Sequence, residues 1–143
     1  MSRRREELVP GQPSFIVFDS FDSPSLGPTI RIDIQSLVRL NELERLLRNL
    51  ADGRSQQVQL SEMSDTLWVP PLKGVVLTVA EATPQTKYEK SGDQVTCNWT
   101  DSTEGWLESA DKTAALAASG KPCHQFFKGW HANSVTITIA FME

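Results

Sequence analysis

The chain has few cysteines and no long hydrophobic run. Only Cys97 and Cys123 are cysteines among its 143 residues, whereas a small secreted domain held by disulfides usually carries more. The longest apolar stretch, residues 74–80, falls far short of the roughly 20 residues that a membrane-spanning helix needs. Residues 1–13 also lack the apolar segment of a secretory signal peptide. We therefore expect a protein of the cytoplasm that has no membrane partner.

The chain also lacks an excess of positive charge. It has 14 lysines and arginines against 18 aspartates and glutamates, which gives a formal net charge of −4. A general nucleic-acid binder needs a basic face that replaces the counterions of the phosphates. The one basic run, Arg3–Arg5, is followed directly by Glu6 and Glu7 and is typical of a solvated terminus. We therefore expect no nucleic-acid partner.

Signatures of common catalytic machinery are missing as well. The sequence contains no Walker loop and no GxGxxG, HExxH or GxSxG motif. Cys97, Cys123, His124 and His131 are of the types that bind zinc, but their spacings, Cys-x25-Cys and His-x6-His, are not those of compact structural zinc sites. We predict no catalytic residue, no metal and no cofactor.

Length and composition are those of one globular domain. A chain of 143 residues with 39% hydrophobic residues can bury a core without disulfides or metals. Residues 1–13 are polar and contain two prolines and a glycine, which predicts a flexible N-terminal tail. Residues 14–143 are predicted to form a single domain.

Two segments have the periodicity of a helix. Five leucines recur at steps of three and four, which is one face of a helix: Leu37, Leu40, Leu43, Leu47 and Leu50. A second helix is expected to open at Asp101–Glu104, where a capping side chain precedes an acidic residue. It is expected to end at Ser119–Pro122, where glycine is followed by proline.

Several other segments alternate with a period of two, which predicts strands. The last of them directs one set of side chains inward: Val135, Ile137, Ile139 and Phe141. Ser91–Asp93 predicts the turn of a hairpin. The predicted order is β-β-α-β-β-β-β-α-β. This order predicts an α+β fold in which a mostly antiparallel sheet of about five to seven strands carries two helices on one face.

Two turn-rich segments, residues 19–28 and 61–71, are interpreted as loops. Asp19 and Asp22 lie in the first, Trp68 lies in the second, and Trp130 lies in a further loop. Tryptophan on a loop is a good anchor for a partner, and an acidic surface speeds association with a basic protein. We therefore predict that these four residues contact a protein partner.

The alternative is a small enzyme or ligand-binding domain with a pocket formed by His124, Gln125, His131 and Cys123. Neutral histidine and glutamine orient ligands well in an apolar pocket. Neighbouring residues of an extended strand point to opposite faces, however, so His124 would not easily reach Cys123. A third hypothesis is an assembly subunit whose terminal strand lies at an open sheet edge and pairs with a second copy.

The C-terminal third of the chain has a recognisable arrangement. Trp99 precedes a capped helix that begins with Glu104-Gly105-Trp106, and His124-Gln125-Phe126-Phe127 precedes the terminal strand. This arrangement resembles small uncharacterised bacterial proteins that have a Gly-His-Gln-Tyr-Leu segment, with Cys123 and Phe126 here in place of the glycine and the tyrosine. The resemblance implies no known reaction. Small cytosolic α+β proteins of this kind often bind partners or neutralise toxins, as immunity proteins and antitoxins do.

Overall fold

The computed structural model of the chain describes residues 15–81, 84–127 and 135–143. The tail predicted for residues 1–13 lies outside the described residues. Trp130 and His131 lie outside them too, so their predicted roles stay predictions.

The described residues form two helices and two β-sheets. Helix α1 spans Leu37–Ala51, and helix α2 spans Thr103–Ser119. The five-stranded sheet has the order β4-β1-β2-β9-β8, and the four-stranded sheet has the order β3-β5-β7-β6. The strands are β1 (Ile16–Ser23), β2 (Gly27–Ile34), β3 (Gln57–Gln59), β4 (Thr66–Trp68), β5 (Leu72–Val79), β6 (Gln85–Ser91), β7 (Gln94–Asp101), β8 (Cys123–Phe127) and β9 (Thr136–Phe141). A 3₁₀ turn, Leu60–Glu62, follows β3.

The α+β class is confirmed, but the strands do not form the single, mostly antiparallel sheet that we expected. Both sheets are mixed, because β1 with β4, β2 with β9 and β5 with β7 are parallel pairs. Strand periodicity reports only which faces are buried and carries no information on the partner of a strand.

The topology contains the same motif twice. A hairpin, a helix and a later strand occur in the order β1-β2-α1-β5 in the first half and β6-β7-α2-β9 in the second, with β3 and β4 inserted before β5 and β8 inserted before β9. In each half, the last strand pairs with the hairpin of the other half: β9 lies beside β2, and β5 lies beside β7. The terminal strand β9 therefore lies between β2 and β8. The condition for the assembly hypothesis, a terminal strand at an open edge, is not met.

Both predicted helices are confirmed. Leu40, Leu43, Leu47 and Leu50 are buried on α1, whereas Leu37, the first residue of the helix, is half-exposed. The α2 N-terminus is capped by Ser102, whose Oγ accepts a hydrogen bond from the Gly105 amide at 3.1 Å. Helix α2 ends at Gly120, which adopts the left-handed conformation (φ 66°) that glycine allows at a C-cap.

One hydrophobic core joins both sheets and both helices. The Trp99 ring on β7 packs against Trp106 on α2, with 4.8 Å between ring centroids, and against Phe127 on β8 at 5.9 Å. The four residues predicted to point inward from the terminal strand are all buried, as expected: Val135, Ile137, Ile139 and Phe141. Among the described residues, neither helix is long and apolar enough to cross a lipid bilayer.

Two segments that the sequence predicted to be loops contain strands. Strand β1 continues through Asp19 and Asp22, where Asp19 lies opposite Arg31 and Asp22 lies opposite Pro28 of β2. Trp68 ends the short strand β4, which pairs with β1. Both corrections have one physical cause: a neighbouring strand pairs with the backbone and overrides the local turn preference of Asp, Ser and Pro.

Candidate functional site

The five-stranded sheet has one face in the core and one face turned away from it, which we call the outer face. The alternation of side chains directs Asp19 and Phe21 of β1, Arg31 and Asp33 of β2 and His124 of β8 to the outer face. The isoleucines of β2 and β9 point to the opposite face and are buried in the core.

The outer face contains a small pocket of about 150 Å³. Strands β1, β2, β8 and β9 and the β1–β2 turn contribute its lining: Phe21, Leu26, Thr29, Arg31, His124, Phe126 and Thr138. The threonines are buried at its base, although they lie on the face of the sheet opposite the core. The pocket is therefore a depression on a rigid sheet rather than a gap between loops.

Three apolar side chains surround this pocket and remain accessible. Phe21, Leu26 and Phe126 are exposed to 45%, 41% and 47%. Phe126 meets the ring of His124 edge to face, with 5.2 Å between centroids, which is a favourable geometry for two aromatic rings. Phe21, Leu26 and Phe126 therefore form an accessible apolar cluster on a sheet whose other face packs in the core.

A polar network borders the apolar cluster. His124 Nδ1 lies 2.7 Å from Glu143 Oε2, and Arg31 Nη2 donates to Glu143 Oε1 at 3.4 Å. Arg31 Nε also donates to Asp33 Oδ2 at 3.4 Å, and Gln35 Nε2 donates to Asp33 Oδ1. Arg31 and His124 are thus already engaged by carboxylates, which orient both side chains and offset the charge of Arg31. This arrangement can bind a polar partner group, but it does not leave a free cation.

The structure separates the residues of the predicted ligand pocket. His124 lies on the outer face, whereas Cys123 and Gln125 point to the opposite face of β8. The Cys123 Sγ atom lies 3.0 Å from Ser119 Oγ at the end of α2. Of the three predicted residues that the structure describes, His124 lines the outer-face pocket and the other two do not, while His131 lies outside the described residues.

The predicted partner residues are also distributed over different surfaces. Asp19 lies on the outer face beside Arg31. Asp22 lines another cleft, of about 410 Å³, together with Tyr88 and Lys90; this cleft shares Phe21 with the outer-face pocket. Trp68 is packed rather than free, because its ring stacks on Phe18 with 3.9 Å between centroids and an interplanar angle of 5°.

Two weakly acidic groups, the buried Cys97 thiol and the half-buried Tyr88 hydroxyl, have strongly shifted pKa values. Burial raises the pKa of the Cys97 thiol from an ordinary value of 9.0 to about 12. The pKa of Tyr88 is raised from 10.0 to about 12, first by burial and then by the nearby Cys97 and Asp22. A thiol with so high a pKa is protonated at neutral pH, so Cys97 is a poor nucleophile. Within the described part of the chain, no three His, Cys, Asp or Glu side chains gather in a metal-binding arrangement.

Sequence analysis missed most of the site. Arg31 and Asp33 alternate with the isoleucines of β2, so their outward direction was visible in the pattern. Phe21 was assigned to a loop, and no signal linked Arg31 to Glu143, because the parallel pairing of β2 with β9 brings them together.

Comparison of the chain with protein-family models, with curated proteins and with solved structures found no match.

Proposed function

We propose that this protein is a non-catalytic binding protein that docks the basic surface of a protein partner on the outer face of its five-stranded sheet. The observation that carries the proposal is the accessible apolar cluster of Phe21, Leu26 and Phe126 around one depression. Exposed aromatic side chains at the centre of a polar surround are the usual energetic centre of a protein interface.

The charge of the outer face determines the kind of partner. Asp19, Asp33 and Glu143 lie on or beside this face, against Arg31 and His124. The whole chain has a formal net charge of −4. Complementary charge accelerates encounter and rejects partners of the same sign, so a basic partner fits best. Neutralisation of a basic toxin in the cytoplasm, as by an immunity protein or antitoxin, is the role we propose.

A small enzyme or ligand-binding domain is the second candidate, since His124 and Glu143 form a close pair in a pocket. The size of the pocket favours the first proposal. Its volume is about 150 Å³, while sites that enclose small organic ligands usually measure roughly 300–1,000 Å³. A partner that covers the whole face would use both the pocket and the apolar cluster around it.

The test begins with cross-linking and affinity purification of the partner from the native host. Capture alone does not count in favour of the proposal. The purified partner is then titrated calorimetrically with the wild type and with Phe126→Ser and Phe21→Ser. We expect each substitution to weaken binding about tenfold or more, because truncation of a central aromatic anchor typically costs about 2 kcal/mol.

Leu107→Ser is the matched control. Leu107 is exposed to 46% on α2, so its replacement removes a similar accessible apolar surface outside the outer face. We expect this variant to bind within about twofold of the wild type, since most apolar contacts outside the energetic centre contribute little. Equal losses for Leu107→Ser and Phe126→Ser, or no stoichiometric partner, would overturn the proposal. Tight binding of a small metabolite that depends on His124 would favour the second candidate instead.

A further inference from the structure

A second concave surface, which shares no lining residue with the outer-face pocket, lies between α1 and the edge strand β3. It is a groove of about 520 Å³. Its lining comes from one side of α1, from β3 and from the 3₁₀ turn with the residues that follow it. The lining includes Arg45, Leu46, Gln57, Val58, Glu62 and Met63.

Strand β3 has an open hydrogen-bonding edge along this groove. It is the last strand of the four-stranded sheet and pairs only with β5 among the described strands. The Val79 amide donates to the Gln56 carbonyl at 2.9 Å, so these two residues form a hydrogen-bonded pair of the antiparallel ladder. Along β3, residues whose peptide groups face β5 alternate with residues whose peptide groups face away from it. Residues 56 and 58 thus direct their peptide groups toward β5, and the N–H and C=O groups of Gln57 point away from the sheet.

The floor of the groove is apolar and fixed. Leu46, Val58 and Met63 are half-buried and pack against the core. The far end is held by Arg39, which is 7% exposed. Its Nη1 donates to Glu42 Oε1 at 2.6 Å and its Nη2 donates to the Ser64 carbonyl. This charged anchor connects α1 to the segment after the 3₁₀ turn, so both walls of the groove are positioned before any ligand arrives.

We propose that this groove binds an extended segment of a partner polypeptide, which adds to β3 as a further strand and places an apolar side chain on Leu46, Val58 and Met63. An edge strand beside a helix is a known arrangement for strand addition, in which the main chain provides affinity and side-chain pockets provide specificity. Unpaired peptide groups of a strand select an extended backbone over a compact small molecule. Arg45 and Glu62 lie at the groove, so a segment with both charge signs beside its apolar residue fits it.

The test uses a random heptapeptide library displayed on phage and selected against the whole chain. The dissociation constant of an enriched peptide is then measured by fluorescence polarisation. Leu46→Arg places a charge on the apolar floor and is expected to weaken binding about tenfold or more, because a buried unpaired charge is costly. The matched control is Val38→Arg, which alters a residue of the same helix that is 73% exposed and lies outside the groove lining. We expect it to leave binding unchanged.

A second measurement leaves the protein unaltered. The enriched peptide is synthesised with an ester in place of each backbone amide in turn. One ester, at the position that pairs with Gln57, is expected to weaken binding several-fold to about tenfold, since it removes a hydrogen-bond donor of the added strand. Hydrogen exchange of the Gln57 amide, followed by NMR, is expected to slow when the peptide is bound.

Several results would contradict the proposed peptide-binding groove. The proposal is overturned if no peptide is enriched, if Leu46→Arg and Val38→Arg bind alike, or if no ester changes the affinity. Sedimentation that shows a dimer disrupted by Leu46→Arg would mean that a second copy occupies the edge, which also overturns it. Phe126→Ser is expected to bind the peptide normally, so the outcome is independent of the function proposed for the outer face.

Discussion

At the scale of single residues, Cys97 is the clearest case in which the surroundings determine the chemistry. It lies on β7 and is completely buried. Burial disfavours the thiolate and raises the pKa of the thiol to about 12. The nearby Tyr88 hydroxyl has a raised pKa for the same main reason.

These raised pKa values predict a loss of stability in alkali. The unfolded chain releases the Cys97 proton near pH 9.0 and the Tyr88 proton near pH 10.0, whereas the folded chain retains both to about pH 12. The unfolded state therefore binds fewer protons above pH 9, and the free energy of unfolding decreases as the pH rises from about 9 toward about 12. Below pH 9, both groups are protonated in both states and contribute no pH dependence.

Urea denaturation at about pH 8 and at about pH 10.5 measures this loss. We expect the decrease in unfolding free energy between the two pH values to be smaller in Cys97→Ala, because that variant has no thiol to ionise. Each protein is compared with itself at the two pH values, so the stability that Cys97→Ala loses through the cavity does not affect the comparison. A decrease as large as that of the wild type in Cys97→Ala would contradict the assigned role of the thiol.

At the scale of elements, the two helices begin in different ways. Ser102 caps α2 with its side chain, which accepts from the Gly105 amide at 3.1 Å. Ser36 occupies the same position before α1, but its side chain makes no capping hydrogen bond. The two serines therefore form a natural pair of test and control for the value of a cap in this protein.

Ser102→Ala is expected to lower the free energy of unfolding by about 1 kcal/mol, the typical cost of a lost N-cap. Ser36→Ala is expected to change it by less than about 0.5 kcal/mol, because no capping hydrogen bond is lost. Urea denaturation of both variants measures the difference. A larger cost for Ser36→Ala than for Ser102→Ala would show that the cap geometry described here does not control the two helix starts.

Elements encoded by local pattern were predictable from the sequence, and those created by pairing were not. The leucine spacing predicted α1, and Ser91–Asp93 predicted the hairpin of β6 and β7, in which Ser91 lies opposite Gln94. Residues 19–22 have the composition of a loop and become part of a strand because β2 pairs with them along their whole length. Turn propensity is a local preference of small energy, which an adjacent strand readily overrides.

At the scale of the whole molecule, the candidate site depends on contacts that cross between the two halves. The outer-face pocket takes Phe21, Leu26 and Arg31 from the first half and His124 and Phe126 from the second. These residues come together because β9 lies between β2 and β8. A single sequence reveals which residues of a strand point outward, but it contains no period that reports a pairing across more than 100 positions. The site could therefore not be assembled from the sequence.

The same exchange of strands predicts that neither half folds alone. Separated from residues 84–143, the first half keeps β4-β1-β2 without β9 and β8, and among the described strands its β5 stays paired only with β3. The second half by itself keeps only the pairs β6–β7 and β8–β9. Isolated two-stranded pairs are marginally stable at best, and the three strands left together in the first half lose part of the common core that covers their apolar face.

Fragments 1–83 and 84–143, expressed separately, are therefore expected to give the narrow amide dispersion of unfolded chains in NMR spectra. When mixed, they are expected to recover the dispersion of the intact protein, because strands β9 and β5 regain their partners β2 and β7. The control is the intact chain cleaved at a protease site inserted between the two halves, which tests whether the break itself is tolerated. A cooperative unfolding transition in either isolated fragment would show that this half folds around a core of its own. The prediction that folding requires the strands exchanged between the halves would then be wrong.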